Sequence, residues 1–264
     1  MSDNSDQRRP RWGPRLRKGP VLVAGTVFTA LLTASATWFA NDVLSKVHQP
    51  DPVGLSVETD PSRMSGVSSA DRYGVIPSSV ETRGTPGSGG CDGFHSWLRN
   101  NHGIDAGETV LQISAQGMTD QPVLLQNMRV KIIDTSAPMS GIAVWCPSAG
   151  NAQLRSITVN LDATPPAVVY QSASNTPFGF TLQKGETESF IVTAKAAKAT
   201  YRWTVELDAV INGTAKTLHV GPPDGFTTTP KPTVSWEWSW EDNGASWRNG
   251  NQTIPAPTPL PPIP

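Results

Sequence analysis

Four groups of side chains in this chain have types and spacings that bear on chemistry. The first is Cys91 and Cys146, the only two cysteines in 264 residues. Neither sits in a C-x-x-C, so a redox or metal motif is not indicated. In an oxidising compartment they are expected to pair, closing a loop of about 56 residues that the loop-entropy relation values at roughly 4 kcal/mol. The second group is His95 and His102, flanked by Asp92 and Asp105. Seven residues is two helical turns, too long for both imidazoles to reach one ion unless Asp105 folds back, so these are read as polar helix residues and no metal is expected. The third is two carboxylate pairs, Glu186/Glu188 and Glu237/Glu241, at the spacing that puts both on one face of a strand. Such pairs can flank a glycosidic bond, but outward, solvated strand positions explain them as well.

The fourth group is the most unusual. Trp236, Trp238 and Trp240 alternate with Ser235, Glu237, Ser239 and Glu241, and Trp247 follows. Alternation puts three indoles on one strand face. Two readings stand: the indoles close one side of a core, or they form an exposed platform on which sugar rings of envelope glycans stack. Familiar catalytic signatures do not accompany any of the four groups. There is no G-x-S-x-G, no H-E-x-x-H and no S-x-x-K, and the glycines from Gly84 to Gly90 match neither a P-loop nor a dinucleotide fingerprint. The expectation is a protein that is not an enzyme and takes no cofactor.

The elements that must position these residues are mostly strands. Period-two runs cover 109–115, 123–133, 141–146, 154–161, 167–171, 178–182, 188–194, 200–211 and 214–220. The clearest is Tyr201, Trp203, Val205, Leu207, Ala209 and Ile211, with Arg202, Thr204, Glu206 and Asp208 between them. It ends at Asn212-Gly213, the dipeptide of a type I′ hairpin, and the next run begins at once. One short helix is predicted where Cys91, Phe94, Trp97 and Leu98 recur at helical spacing, with Asp92 as N-cap and Gly103 beyond the end. Many short strands and little helix predict an all-β fold: an antiparallel β-sandwich with immunoglobulin- or fibronectin-like layers. A possible early strand lies at 53–57; otherwise 41–90 reads as stalk or linker, 91–241 as the sandwich and 242–264 as a Pro-rich, disordered tail.

Charge patterning supplies the address. The formal net charge of −1 hides three regimes. Residues 1–20 carry six cations against Asp3 and Asp6, a balance of +4; residues 21–40 carry none; the rest carries −5. Twenty uncharged residues, at about 1.5 Å each in a helix, span a ~30 Å hydrocarbon core. The preceding cations place the N-terminus in the cytoplasm and everything beyond Asn41 outside the plasma membrane. Ala34-Ser35-Ala36 also fits a signal-peptide cleavage site, yet the apolar run continues through Trp38, Phe39 and Ala40, which favours an uncleaved anchor. About twenty Arg- and Pro-rich residues cannot build a cytoplasmic domain. The acidic balance of the exported part argues against a nucleic-acid partner.

The order of a basic start, one span, a Pro/Gly/Ser stalk and the segments Cys-Asp-Gly-Phe-His-Ser-Trp, Pro-Val-Leu-Leu-Gln-Asn-Met-Arg-Val, Pro-Phe-Gly-Phe-Thr-Leu and Lys-Gly-Glu-Thr-Glu-Ser-Phe resembles uncharacterised single-pass membrane-anchored proteins of actinobacteria. The resemblance implies an envelope location and carries over no site residue. The functional expectation is a non-catalytic, membrane-anchored interaction module that binds an envelope protein or polymer through its sandwich. Glycan binding through Trp236, Trp238, Trp240 and Trp247, or an envelope hydrolase, are the alternatives.

Overall fold

The computed structural model describes residues 51–64, 72–87, 90–147, 156–171, 177–239 and 245–262. The basic segment and the expected span at 21–40 lie outside these. Among the described residues no helix is long and apolar enough to cross a membrane.

In chain order the strands are β1 (Val53–Glu58), β2 (Arg72–Pro77), β3 (Ile104–Ala106), β4 (Glu108–Gly117), β5 (Val123–Ser136), β6 (Gly141–Cys146), β7 (Ser156–Asn160), β8 (Ala167–Gln171), β9 (Phe180–Leu182), β10 (Thr187–Lys195), β11 (Thr200–Ile211), β12 (Thr214–Val220), β13 (Phe226–Thr229), β14 (Trp236–Ser239), β15 (Ser246–Asn249) and β16 (Gln252–Pro255). The α-helix α1 (Phe94–Asn100) enters between β2 and β3, and a turn of 3-10 helix, Pro61–Arg63, follows β1. Two sheets result. One has the order β1-β4-β10-β7-β8, and the other runs β16-β15-β14-β6-β2-β3-β13-β11-β5-β9, with β12 paired to β11.

All nine period-two runs are strands, displaced by a few residues at most. Alternation decides the pattern because each of these strands has one face against a core. In β11 every second residue from Tyr201 to Ile211 is buried and the residues between are not. The hairpin also forms as the dipeptide requires, with φ of 49° at Asn212 and 74° at Gly213.

The expectation of a purely antiparallel sandwich is corrected, for both sheets are mixed. β10 runs parallel to β7, β13 to β3 and β14 to β6, while the remaining pairs are antiparallel. A strand's own alternation does not encode the direction of a neighbour brought in from far along the chain. The boundaries also move. Asp51–Pro264 is one compact unit. β1 is the early strand expected at 53–57, β2 is built into the large sheet from within the segment that reads as stalk, and β15 and β16 extend that sheet although 242–264 reads as tail.

The apolar interior divides in two. The first cluster lies between the sheets and takes most of its buried residues from β4, β5, β7, β10 and β11, with Trp203, Phe190, Leu111 and Ile113 among them. The second gathers Ile76 of β2, Ile142 and Val144 of β6, Trp236 and Trp238 of β14, Trp247 of β15, helix residues Phe94, Trp97 and Leu98, and Leu260. One half of the large sheet therefore faces the small sheet, and the other half is covered by α1 and the chain after β16.

Candidate functional site

The chemistry-bearing residues that come together do so around α1. Phe94, Trp97 and Leu98 turn inward on the second cluster, as their spacing predicts. The N-cap is Gly93 and not Asp92; no side chain caps the first turn, and Asp92 is exposed. At the other end His102 takes a left-handed backbone with φ of 58°, and the Gly103 N–H returns to the Leu98 carbonyl at 2.8 Å. The helix lies so close on β2 that a Cβ on Gly74 would stand 2.5 Å from Leu98 Cδ2. Asn101, 3% exposed, fixes the helix end by accepting from the Arg83 N–H (2.7 Å) and donating to the Arg83 carbonyl (3.1 Å).

The Cys91–Cys146 disulfide is formed, with Cα atoms 5.8 Å apart. It joins the segment entering α1 to the last residue of β6. Beside it the Arg72 guanidinium donates from Nη1 to the Cys91 carbonyl. Burial pulls Arg72 below its ordinary value, opposed by the charges of Asp60 and Asp92.

His95 is 8% exposed, with Nδ1 4.0 Å from Asp105 Oδ1. That is an electrostatic contact and too long for a hydrogen bond. Arg99 Nη2 sits 2.6 Å from the same carboxylate oxygen, and its Nη1 donates to the Gly103 carbonyl at 2.8 Å. Burial is the largest influence on His95 and lowers it; Arg99 and Arg72 push the same way, and Asp105 and Asp60 oppose them. The imidazole is therefore neutral at pH 7. Asp60 moves the other way from its burial. Burial alone would raise it, but hydrogen bonds from the Ser62 hydroxyl (2.7 Å) and amide (3.0 Å), with His95 and Arg72 nearby, hold it below the usual carboxylate range.

Arg72, His95, Asp105 and Glu108 share a pocket with Tyr73, Phe94 and Leu98, with a cavity volume of about 40 Å³. That is room for a few waters and not for a sugar or a peptide. Ser96, next to His95, directs its hydroxyl to Asp60 Oδ2 at 3.4 Å, so it does not form a nucleophile with that histidine. The arrangement is an electrostatic tie between helix, β2 and β3. His102 is exposed and apart from His95. Among the described residues no group of three or more His, Cys, Asp or Glu is placed to hold a metal ion.

The structure separates the two readings of the tryptophans. Trp236, Trp238 and Trp247 are exposed by 1%, 0% and 1%, so none offers an indole face to a sugar ring. Trp247 packs against both Trp238 and Trp97, ring centroids 4.8 Å apart and ring planes tilted by 53° and 34°. The Trp236 indole N–H donates to the Pro261 carbonyl at 3.0 Å. Trp240 and Glu241 lie outside the described residues. Of the carboxylate pairs, Glu186 is exposed and accepts from the Gln183 N–H at 2.8 Å, Glu188 is half-buried on β10, and Glu237 lies in register with Arg248 across the β14–β15 pair.

Sequence reading singled out His95 and Asp105 but missed Arg99, Arg72 and Asp60 as their companions. Arg99 had a signal, four residues after His95 on one helix face. Arg72 and Asp60 had none, since they arrive through the sheet. The aromatic pair nearer the surface was missed as well: Tyr73 and Trp145, opposite each other on β2 and β6, stack with centroids 5.5 Å apart, and Lys231 Nζ stands 3.7 Å over the Tyr73 ring. No family model, curated protein or solved structure matches this chain.

Proposed function

We propose that this chain is a single-pass membrane-anchored protein, N-terminus in the cytoplasm, that presents its two-sheet domain outside the plasma membrane as a non-catalytic module for an envelope protein or polymer. The observation that carries the reading is the Cys91–Cys146 bridge. Structural disulfides persist on the exported side of a membrane and are rare in the cytosol. The +4, uncharged and −5 regimes of the sequence support the same orientation. The layered sheets, in the manner of immunoglobulin- or fibronectin-like modules, supply a rigid scaffold for recognition on strands and loops.

Topology and binding are tested on the full chain in intact cells. The native cysteines are bonded to each other, so an introduced thiol reports alone. Lys216→Cys, exposed on β12, is labelled from outside by a membrane-impermeant maleimide, and Ser2→Cys only after permeabilisation. The reverse pattern overturns the orientation. Crosslinking of the full chain in native envelopes yields a discrete adduct with one protein or with cell-wall polymer; a chain that crosslinks to neither is not an interaction module.

A further inference from the structure

Beyond β16 the chain forms a strap. Residues 255–262 read Pro-Ala-Pro-Thr-Pro-Leu-Pro-Pro, and β16 pairs through Pro255 and no further. Five of these eight residues are proline, so the strap owns amide N–H groups only on Ala256, Thr258 and Leu260. Ala256 and Thr258 give theirs close to the strand end, to the Ala245 and Pro255 carbonyls, each at 3.0 Å. Of residues 257–262 only Leu260 is buried, at 5% exposed; the prolines around it and Thr258 are exposed.

Leu260 occupies a socket that the rest of the domain builds. It belongs to the cluster of Ile76, Trp236, Trp238 and Trp247, with Val80 packed against the same cluster. Two hydrogen bonds bracket it. The Leu260 N–H donates to Thr82 Oγ1 at 2.7 Å, and the carbonyl of the next residue, Pro261, accepts from Trp236 Nε1 at 3.0 Å. Thr82 is 4% exposed and Trp236 1%, so two buried polar groups are aimed at the main chain of the strap, and among the described residues neither group has a second partner. The walls stand without the strap. Ile76 and Trp236 sit on β2 and β14, which both pair with β6, and the Cys91–Cys146 bridge lies within the same cluster. A preformed apolar socket that reads one side chain and two main-chain groups of an extended, proline-flanked segment has the form of a peptide-recognition site.

We infer that this socket binds a Leu-Pro pair in an extended, proline-rich segment of a second protein, and that the chain's own C-terminal strap fills it in cis until such a segment displaces it. The seated strap defines the ligand. It needs a leucine for the apolar walls, an N–H on that leucine for Thr82, and a following proline that confines the leucine to extended backbone and turns its own carbonyl to Trp236. A charged side chain in place of the leucine is excluded by the walls. The strap competes at the high effective concentration of a tethered ligand, and because it is terminal and outside the ladder it leaves without breaking a strand pair. Exchange between two copies of this chain is disfavoured: the five residues 256–260 span at most about 18 Å, which would force the two β16 edges against each other. The socket gives the interaction module a ligand class and does not depend on the side of the membrane, so the thiol-labelling pattern and the titration below fail separately.

The test uses the full chain purified in detergent, the full-length variant Leu260→Asp, which cannot seat its own strap, and a synthetic peptide with the sequence of residues 255–264. In calorimetric titration the peptide is expected to bind Leu260→Asp one to one and the unaltered chain at least tenfold more weakly, with circular dichroism spectra of the two chains alike. A peptide with aspartate in place of its leucine is expected to bind neither. Hydrogen exchange of the unaltered chain needs no variant: the Leu260 amide is expected to exchange at least tenfold faster than the amides of β11, through local release of the strap. Failure of a folded Leu260→Asp chain to bind the peptide, equal binding by the two chains, binding indifferent to the peptide's leucine, or a Leu260 amide that exchanges only in step with β11 overturns the inference.

Discussion

His95 couples the helix to pH. Its folded pKa lies below the ordinary 6.5, so the unfolded chain takes up a proton first as pH falls. Stability is thus lost as pH drops through 6.5, and the loss stops once the folded form is protonated too. Asp60, also lowered, from 3.8, adds a second loss at more acid pH, as the medium falls through the folded value. His95→Gln is expected to flatten the first decline and leave the second, read from urea midpoints at about pH 7.5, 5, 4 and 2.5. At the same scale two buried indoles differ. Trp236 Nε1 has the Pro261 carbonyl, whereas Trp238 Nε1 is buried without a partner. Phenylalanine removes a satisfied donor at the first and an unsatisfied one at the second. Trp236→Phe should therefore cost about 1 kcal/mol more than Trp238→Phe in equilibrium unfolding.

Among the elements, the docking of α1 on β2 depends on the absence of a side chain at position 74. Gly74→Ala drives a methyl into Leu98 and should destabilise by about 1–3 kcal/mol. In a Leu98→Ala background most of that cost should vanish, a coupling that a double-mutant cycle measures directly. The same strand shows why part of the fold was hidden. β2 reads Arg-Tyr-Gly-Val-Ile-Pro, with Gly74, Val75 and Ile76 buried in succession, so it lacks the alternation that marks a half-buried strand. β13 hid differently, because Phe-Thr-Thr-Thr reads as polar. Thr228 and Thr229 are both 0% exposed, and their hydroxyls meet Thr109 and Thr200 at 2.7 Å. β11 was legible because it wears its burial along its own sequence, and β12 because the Asn212-Gly213 turn announces a paired strand after it. Of the helix cluster, only the residues that the helix itself carries could be read that way.

For the whole molecule, the disulfide and the second apolar cluster act as one closure. Cys91 and Cys146 are both members of that cluster. Replacing both by serine should lower stability by about 4 kcal/mol in the loop-entropy relation, read as the shift in unfolding midpoint against the oxidised chain. The first cluster, between the sheets, contains neither cysteine, so its unfolding should shift less than that of the helix side when tryptophan fluorescence and circular dichroism are followed together.

Leu260 carries a further consequence. Its N–H donates to the buried Thr82 hydroxyl at 2.7 Å, and its side chain sits beside Ile76 and the tryptophans. Residues 178 positions apart thus meet in one place. The cysteines can find each other once position 146 has been made, but the cluster around them waits for position 260. The disulfide can therefore close while the helix side of the domain is still open, and docking of the segment that bears Leu260 is what covers it.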